Sequence, residues 1–389
     1  MKVIFDVSAV QPPLTGIGRY ALKLAQNIET DPRVEEVKFF STHGWVESID
    51  NINDELAKST ISKNNSIKSA IRTKIPFKGL ARRAYRYYIN QRFRRDGNNL
   101  SDYIYHGPNY YLMPFSGKSV VTIHDLSFLR HPEFHLKERV DFWKGEIHKV
   151  VRRANHIITD SEFQRQEIIE LLDVDKSFVS AIYLGVEPKF KDYAEQDCND
   201  VLQKFGLRFN AFNLVVATVE PRKNFTRLLH AFQNLPEDYR KAYPLAVVGD
   251  KGWLSDDIHH TISNLSAKGE AVSLGYVDEV DLPILYAAAA VFIYPSLYEG
   301  FGLPVLEAMA SGTAVLTSNT TSIPEVAGDA CMLIDPYSIE DILIHWLKLL
   351  ESDELRKIMG EKGVKQANCF SWQECTKNTI NVYSELSQL

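Results

Sequence analysis

Short apolar, β-branched runs alternate with segments of helical period along the whole chain, a pattern that predicts an α/β architecture built on parallel sheets. Lys2 to Val7 reads as a strand, followed by a Pro/Gly loop from Gln11 to Gly18 and a helix from about Arg19. Val37–Phe40, Tyr103–Tyr105, Val120–Ile123, His156–Thr159 and Ser180–Tyr183 continue as strands. Ser161-Glu162-Phe163-Gln164 reads as a capping box opening the helix after the fourth of these. After the polar stretch Lys189 to Asp200 the alternation restarts, with strands at Leu214–Thr218, Leu245–Val248, Val272–Leu274, Val291–Tyr294 and Ala314–Thr317. Asn224 is placed to cap a helix whose Phe225, Leu228, Leu229 and Phe232 share one face. Pro304 opens a further helix that Gly312 closes, and Ser371-Trp372-Gln373-Glu374 is a second capping box. The restart near residue 190 marks a boundary between two doubly wound, Rossmann-like domains. Their ligand loops, at the carboxyl ends of strands, would face a shared cleft.

Composition narrows the class. The 389 residues are 45% hydrophobic and 24% charged, which excludes a disordered or collagen-like chain. Four cysteines (Cys198, Cys331, Cys369 and Cys375) form no CxxC pair, and no His cluster has zinc spacing. No metal is expected, and a reducing compartment fits. Met1-Lys2 meets a charge too soon for a signal peptide, and the longest apolar run, Tyr286 to Tyr294, is far short of the ~20 residues of a membrane span. A cytoplasmic location is expected.

The net charge of −6 conceals a local imbalance. Ten basic residues lie between Lys68 and Arg95 with no acidic residue among them. They are Lys68, Arg72, Lys74, Lys78, Arg82, Arg83, Arg86, Arg92, Arg94 and Arg95. Leu80, Ala84 and Tyr88 fall beside Ala81, Tyr85 and Ile89 on one helical face, with Phe93 further along. This is a basic amphipathic helix, suited either to packing with a solvated charged back or to an anionic membrane surface. Nucleic acid is disfavoured, because the rest of the chain is acidic and no nucleic-acid motif is present.

The loops carry the chemistry. Pro295 to Glu307 runs from a strand through Gly300-Phe301-Gly302-Leu303 into a helix N-terminus, where unpaired amides favour a phosphate. Glu299 can accept from sugar hydroxyls and Glu307 from a ribose. Arg222 and Lys223, after the first strand of the second half, suit a diphosphate. Gly16-Ile17-Gly18-Arg19-Tyr20-Ala21 formally matches GxGxxA. It lies too far from its strand for the dinucleotide fingerprint, and Phe39-Phe40-Ser41-Thr42 offers no acidic partner for a ribose, so NAD is disfavoured. His124, in Thr122-Ile123-His124-Asp125, ends another strand at the same edge.

Together these segments resemble a retaining glycosyltransferase of the GT-B fold, glycosyltransferase family 4, over nearly the whole chain. The resemblance rests on Gly16-Ile17-Gly18, Thr122 to Asp125, Ser161, Arg222-Lys223, the Glu-x7-Glu pair Glu299 and Glu307, and Phe370-Ser371-Trp372. It implies transfer of a sugar from a nucleotide-diphosphate donor, without a cofactor. It also implies an acceptor-side domain over 1–189, a nucleotide-sugar domain over 190–370, and a last helix, 371–389, that packs back on the first. Arg222 and Lys223 would bind the diphosphate, Gly300 to Leu303 the donor sugar and phosphate, and Glu307 the ribose. Glu299 would sit by the sugar hydroxyls and His124 near the reacting centre. Gly16 and Gly18 would flank the leaving phosphate or the acceptor, and the turn Gly275-Tyr276-Val277 would meet the base. Ser161 and the arginines Arg82, Arg83 and Arg86 belong to the acceptor or membrane side. Glu220-Pro221 departs from the family's usual Gly-Arg.

The pattern is similar to bacterial mannosyltransferases that build O-antigen or capsule on a lipid carrier. It implies GDP-mannose as donor, a lipid-linked saccharide as acceptor and peripheral attachment to the inner membrane face. A UDP-sugar donor, a sugar phosphorylase, a nucleotide-sugar epimerase and a non-catalytic carbohydrate-binding protein are the other readings.

Overall fold

The structure, a computed structural model, describes residues 1–11, 14–49, 78–97, 99–250, 252–253 and 256–388, with the side chains of 78–86 and 96 excepted. Among these residues two sheets form. The first comprises β1 (Lys2–Asp6), β2 (Glu36–Ser41), β3 (Gly44–Val46), β4 (Ile104–Gly107), β5 (Lys118–Thr122), β6 (His156–Thr159) and β7 (Val179–Ala181), in the order β3-β2-β1-β4-β5-β6-β7. Only β3, the return strand of a hairpin with β2, is antiparallel among the described strands. The second comprises β8 (Asn213–Val216), β9 (Leu245–Val248), β10 (Ala271–Gly275), β11 (Val291–Tyr294), β12 (Ala314–Ser318) and β13 (Met332–Ile334), in the order β10-β9-β8-β11-β12-β13. Val291-Phe292-Ile293-Tyr294 is buried throughout, as a central parallel strand covered on both faces must be.

The helix Phe225–Asn234 buries Phe225, Leu228, Leu229 and Phe232, the face its period predicts. Its expected cap is absent. Asn224 lies in the left-handed region, and its side-chain amide instead donates to the carbonyls of Pro295 (2.9 Å) and Pro336 (2.7 Å). The helix Lys78–Gly97 docks through Ile89 and Phe93, four residues apart. Phe93 meets Phe40 and Trp45 with ring centroids 4.9 and 5.7 Å away, so β3 supplies part of its seat. Tyr88, expected on the apolar face, is 61% exposed beside Tyr87, because it lies one residue off the Ile89–Phe93 seam. The side chains of Arg82, Arg83 and Arg86, and all of Lys68, Arg72 and Lys74, lie outside the described residues.

One apolar cluster runs through both halves, from Tyr20 and Leu24 through Phe190, Tyr286 and Phe301 to Trp372 and Tyr383. The helix Trp372–Gln388 lies along the helix Gly16–Thr30, where Asn27 Nδ2 donates to Thr376 Oγ1 at 3.2 Å. Tyr383 also pairs its hydroxyl with His106 Nδ1 at 2.5 Å.

The capping box at Ser161 forms only in part. Ser161 Oγ accepts from the Gln164 amide at 3.2 Å, but the Gln164 side chain turns away to Tyr298 of the other half. The first amides of this helix, Glu162 and Phe163, donate to the Glu325 carboxylate, also of the other half, at 2.8 and 2.6 Å. Glu325→Ala removes this cap and is expected to cost about 1 kcal/mol, read as a lower urea midpoint. An unchanged midpoint would show that water replaces the carboxylate without loss.

Candidate active site

In each sheet the strand order reverses beside the first strand, between β1 and β4 and between β8 and β11. Ligand crevices form outside the carboxyl ends of strands at such points. Here loops from both halves line one cleft of about 530 Å³. Gly16, His124, Arg222, Lys223, Val277, Glu299, Gly300, Phe301, Gly302, Leu303 and Glu307 all border it. Gly18 and Ser161 do not. Gly18 is buried in the first helical turn, where an added Cβ would meet the Ala9 carbonyl at 2.9 Å. Ser161 is buried too and donates to the Gly300 carbonyl at 2.8 Å, so it ties the halves together rather than facing an acceptor.

The loop after β8 and the loop after β11 meet in a compensated charge cluster. Glu299 accepts from Lys223 Nζ at 2.5 Å, Ser296 Oγ at 2.5 Å and Arg222 Nη1 at 3.0 Å. Arg222 Nε is paired with Glu220, and Lys223 Nζ also donates to the Tyr294 hydroxyl at 2.5 Å. Burial pushes the Glu299 carboxyl up, but the Lys223 and Arg222 charges outweigh it and hold the group down at about 2. Its folded pKa is therefore depressed, so its ion pairs contribute above the ordinary carboxyl pKa and are lost as pH falls toward 2. Burial and the adjacent guanidinium pull the Lys223 ammonium below its usual range. A carboxylate so clamped is a poor nucleophile; the cluster instead presents two fixed cations at the mouth of a helix.

That helix, Leu303–Ala310, begins at Gly302, whose φ of +109° suits glycine, and no described side chain caps it. Pro304 has no N–H and the Val305 amide donates to the Gly302 carbonyl at 3.0 Å, so the amides available to an anion at this end of the cleft are those of Gly300 to Leu303, which border it. Gly300 sits so close to the first half that an added Cβ would lie 2.1 Å from the His124 carbonyl oxygen. The His124 ring has both nitrogens engaged, Nδ1 with Asp160 at 2.8 Å and Nε2 with the Pro108 carbonyl at 2.9 Å. Burial lowers its pKa, but the Asp160 charge and hydrogen bond, together with the Pro108 carbonyl and the Asp125 charge, raise it overall. His124 is thus held in the cleft wall by Asp160 and Pro108 and has no nitrogen free to act as a base. Glu307, one turn into the helix, is buried and pairs with Arg19 Nη1 of the first half at 2.7 Å.

Residues 209–366 match the family described as glycosyl transferases, group 1. The O-antigen chain mannosyltransferase B of Escherichia coli is 39% identical over 386 residues, covering 99% of this chain and all of that protein. The chain belongs to the group 1 glycosyl transferases. A serotype-specific mannosyltransferase, WbdA of E. coli, is 32% identical over 70% of this glycosyltransferase and 34% of its own length. Anabaena HepE, solved in complex with UDP and glucose, shares the fold at 17% identity, with a TM-score of 0.72 over 99% of this chain and 100% of that one. WaaG, a glycosyltransferase involved in lipopolysaccharide biosynthesis, does so at 15% identity and a TM-score of 0.71, over 98% and 99% of the two chains. The two parallel, Rossmann-like sheets of this glycosyltransferase are therefore those of the GT-B fold.

The family match covers the glycosyltransferase's second sheet with Arg222, Lys223, Glu299 and Glu307. Sequence reasoning missed Asp160, Tyr294 and the pairing role of Glu220. Asp160 had a readable signal, since it ends a strand parallel to the one before His124. Glu220 was visible only as a departure from Gly-Arg. Arg19 lies inside the Gly16–Ala21 segment, where the glycines are the visible signal.

Proposed function

We propose that this glycosyltransferase transfers mannose from GDP-mannose, with retention, to a lipid-linked saccharide in O-antigen assembly. The observation that carries this reading is the Arg222–Lys223–Glu299 cluster at the uncapped helix N-terminus, in a chain similar over its full length to an O-antigen mannosyltransferase. The bond from the sugar's anomeric carbon to the diphosphate breaks, and its electron pair leaves with the phosphate. The acceptor hydroxyl bonds to that carbon on the same face and gives its proton to the leaving phosphate. Arg222, Lys223 and the amides of Gly300 to Leu303 stabilise the developing charge without a metal. Glu299 fixes both cations and faces the sugar hydroxyls, Glu307 takes the ribose, and the turn at Val277 takes the base.

Unfolding midpoints with GDP-mannose, GDP, UDP-glucose, UDP-N-acetylglucosamine, UDP and NAD test the donor. A ligand at 100 times its Kd adds about 2.7 kcal/mol, and only the two guanosine ligands are expected to do so. Stabilisation by UDP-sugars alone would replace mannose with another donor, and by NAD alone would remove the nucleotide-sugar reading.

For the acceptor, a second cavity of about 390 Å³ in the first half is lined by Tyr111, Met113, Phe142 and Trp143 with Asp6 and Asn109. Aromatic faces beside a buried carboxylate suit a saccharide. The exposed Tyr87 and Tyr88 on the basic helix support attachment to anionic lipid. No described helix is long and apolar enough to cross a membrane. Flotation with anionic but not neutral vesicles is expected; failure on both would remove the membrane contact.

A further inference from the structure

A chain of alternating charges crosses between the halves beside the donor cleft. Arg19 on the helix Gly16–Thr30 reaches Glu307 at 2.7 Å and places its Nε 3.5 Å from Glu279. Lys189 bridges Glu279 and Glu187, each at 3.2 Å, and Lys23 closes the chain on Glu187 at 2.7 Å. The Arg19 Nε and Glu279 Oε1 atoms are buried without a hydrogen bond, so of Arg19's two links only the one to Glu307 is a hydrogen bond. Arg19 and Glu307 both border the cleft.

We propose that Arg19 is a positioning residue for the donor: by holding Glu307 Oε1 it keeps that carboxylate aimed at the ribose, so the nucleotide site is completed only by both halves together. This rests on the nucleotide-sugar reading above. A carboxylate has about four acceptor positions, and the Arg19 bond leaves room for ribose hydroxyls. The charged and titratable groups facing Glu307 are Arg19, Tyr286, Lys189 and Glu187. Burial raises its pKa, and Arg19 is the foremost influence opposing that rise. Without Arg19 the carboxyl takes up a proton more readily and gives up acceptor capacity.

The test is calorimetric titration of wild type, Arg19→Gln, Arg19→Met and Arg19→Lys with GDP and with its 2′,3′-dideoxy analogue, using UDP and its analogue if the ligand panel returns uridine. Arg19→Gln is expected to weaken GDP about tenfold, the loss of one charge-assisted hydrogen bond's influence. The dideoxy analogue should lose almost nothing further. The deficit should grow as pH is lowered, and Arg19→Lys should recover most of it. Arg19→Met keeps the apolar stem and carries the same expectation if the glutamine variant does not fold. Equal losses for both nucleotides, or no loss for either, would overturn the role of Arg19 while leaving the nucleotide reading intact. A wild-type protein that binds no nucleotide would remove both.

Discussion

Lys223→Met is expected to lower kcat by about 10²–10³-fold, the usual cost of removing one preorganised donor to a developing oxyanion. The loss should fall on kcat more than on KM, because the charge on the departing diphosphate grows toward the transition state. The fold should survive, since Glu299 keeps Arg222 and Ser296 as partners and the methionine retains the buried stem. Arg222→Ala is also expected to cut turnover severely, but it is a less clean test. It leaves Glu220 and Glu299 buried without their shared guanidinium, a change that costs about 3–5 kcal/mol in comparable buried pairs. Nucleotide release measured against an O-antigen acceptor reads the effect. A kcat for Lys223→Met within about twofold of wild type would sink the electrostatic mechanism.

Gly300→Ala is expected to lower activity about 100-fold through geometry alone, the scale seen when reacting groups are displaced by an ångström. Its Cβ would lie 2.1 Å from the His124 carbonyl oxygen, a backbone atom, and a Cβ has no torsion by which to turn away. The loop must retreat, and with it the Gly300 carbonyl that holds Ser161. Each sheet should persist, so far-UV circular dichroism should match wild type while turnover and donor affinity fall together. An active variant would show that the two halves do not close as tightly during turnover as the structure has them.

Most of the sheet framework could be read from the chain, because a parallel strand buried on both faces is an uninterrupted apolar run. His156–Thr159, Leu245–Val248 and Val291–Tyr294 lie at the bounds their apolar runs predict. β3 and β13 were not legible: three residues carry no period, and β3 exists because Trp45 packs on Phe93. The cleft-facing loops were legible for a related reason, since glycines and charged residues immediately after a strand stand out against apolar surroundings. What local pattern could not encode was the pairing between halves. Arg19 meets Glu307 across 288 residues, and Glu325 caps a helix 162 residues away at Phe163. The same limit explains Ser161 and Gln164. Their spacing is that of a capping box, but Gln164 finds a better-buried partner in Tyr298, which no window around residue 161 contains.

The helix Trp372–Gln388 bears on how this chain reaches its fold during synthesis. The first sheet is finished, as a set of strands, once β7 has emerged, yet its interior still lacks Trp372, Cys375 and Tyr383. The Tyr383 hydroxyl bonds to His106 across 277 residues of sequence. A nascent first half therefore exposes the apolar groove beside the helix Gly16–Thr30 until the whole second half has been translated. At about 5–20 residues per second that interval lasts roughly ten seconds or more, long enough for chaperones to engage. Contacts of such separation also slow refolding of the finished chain, and they give the far helix the last word on when both halves become native.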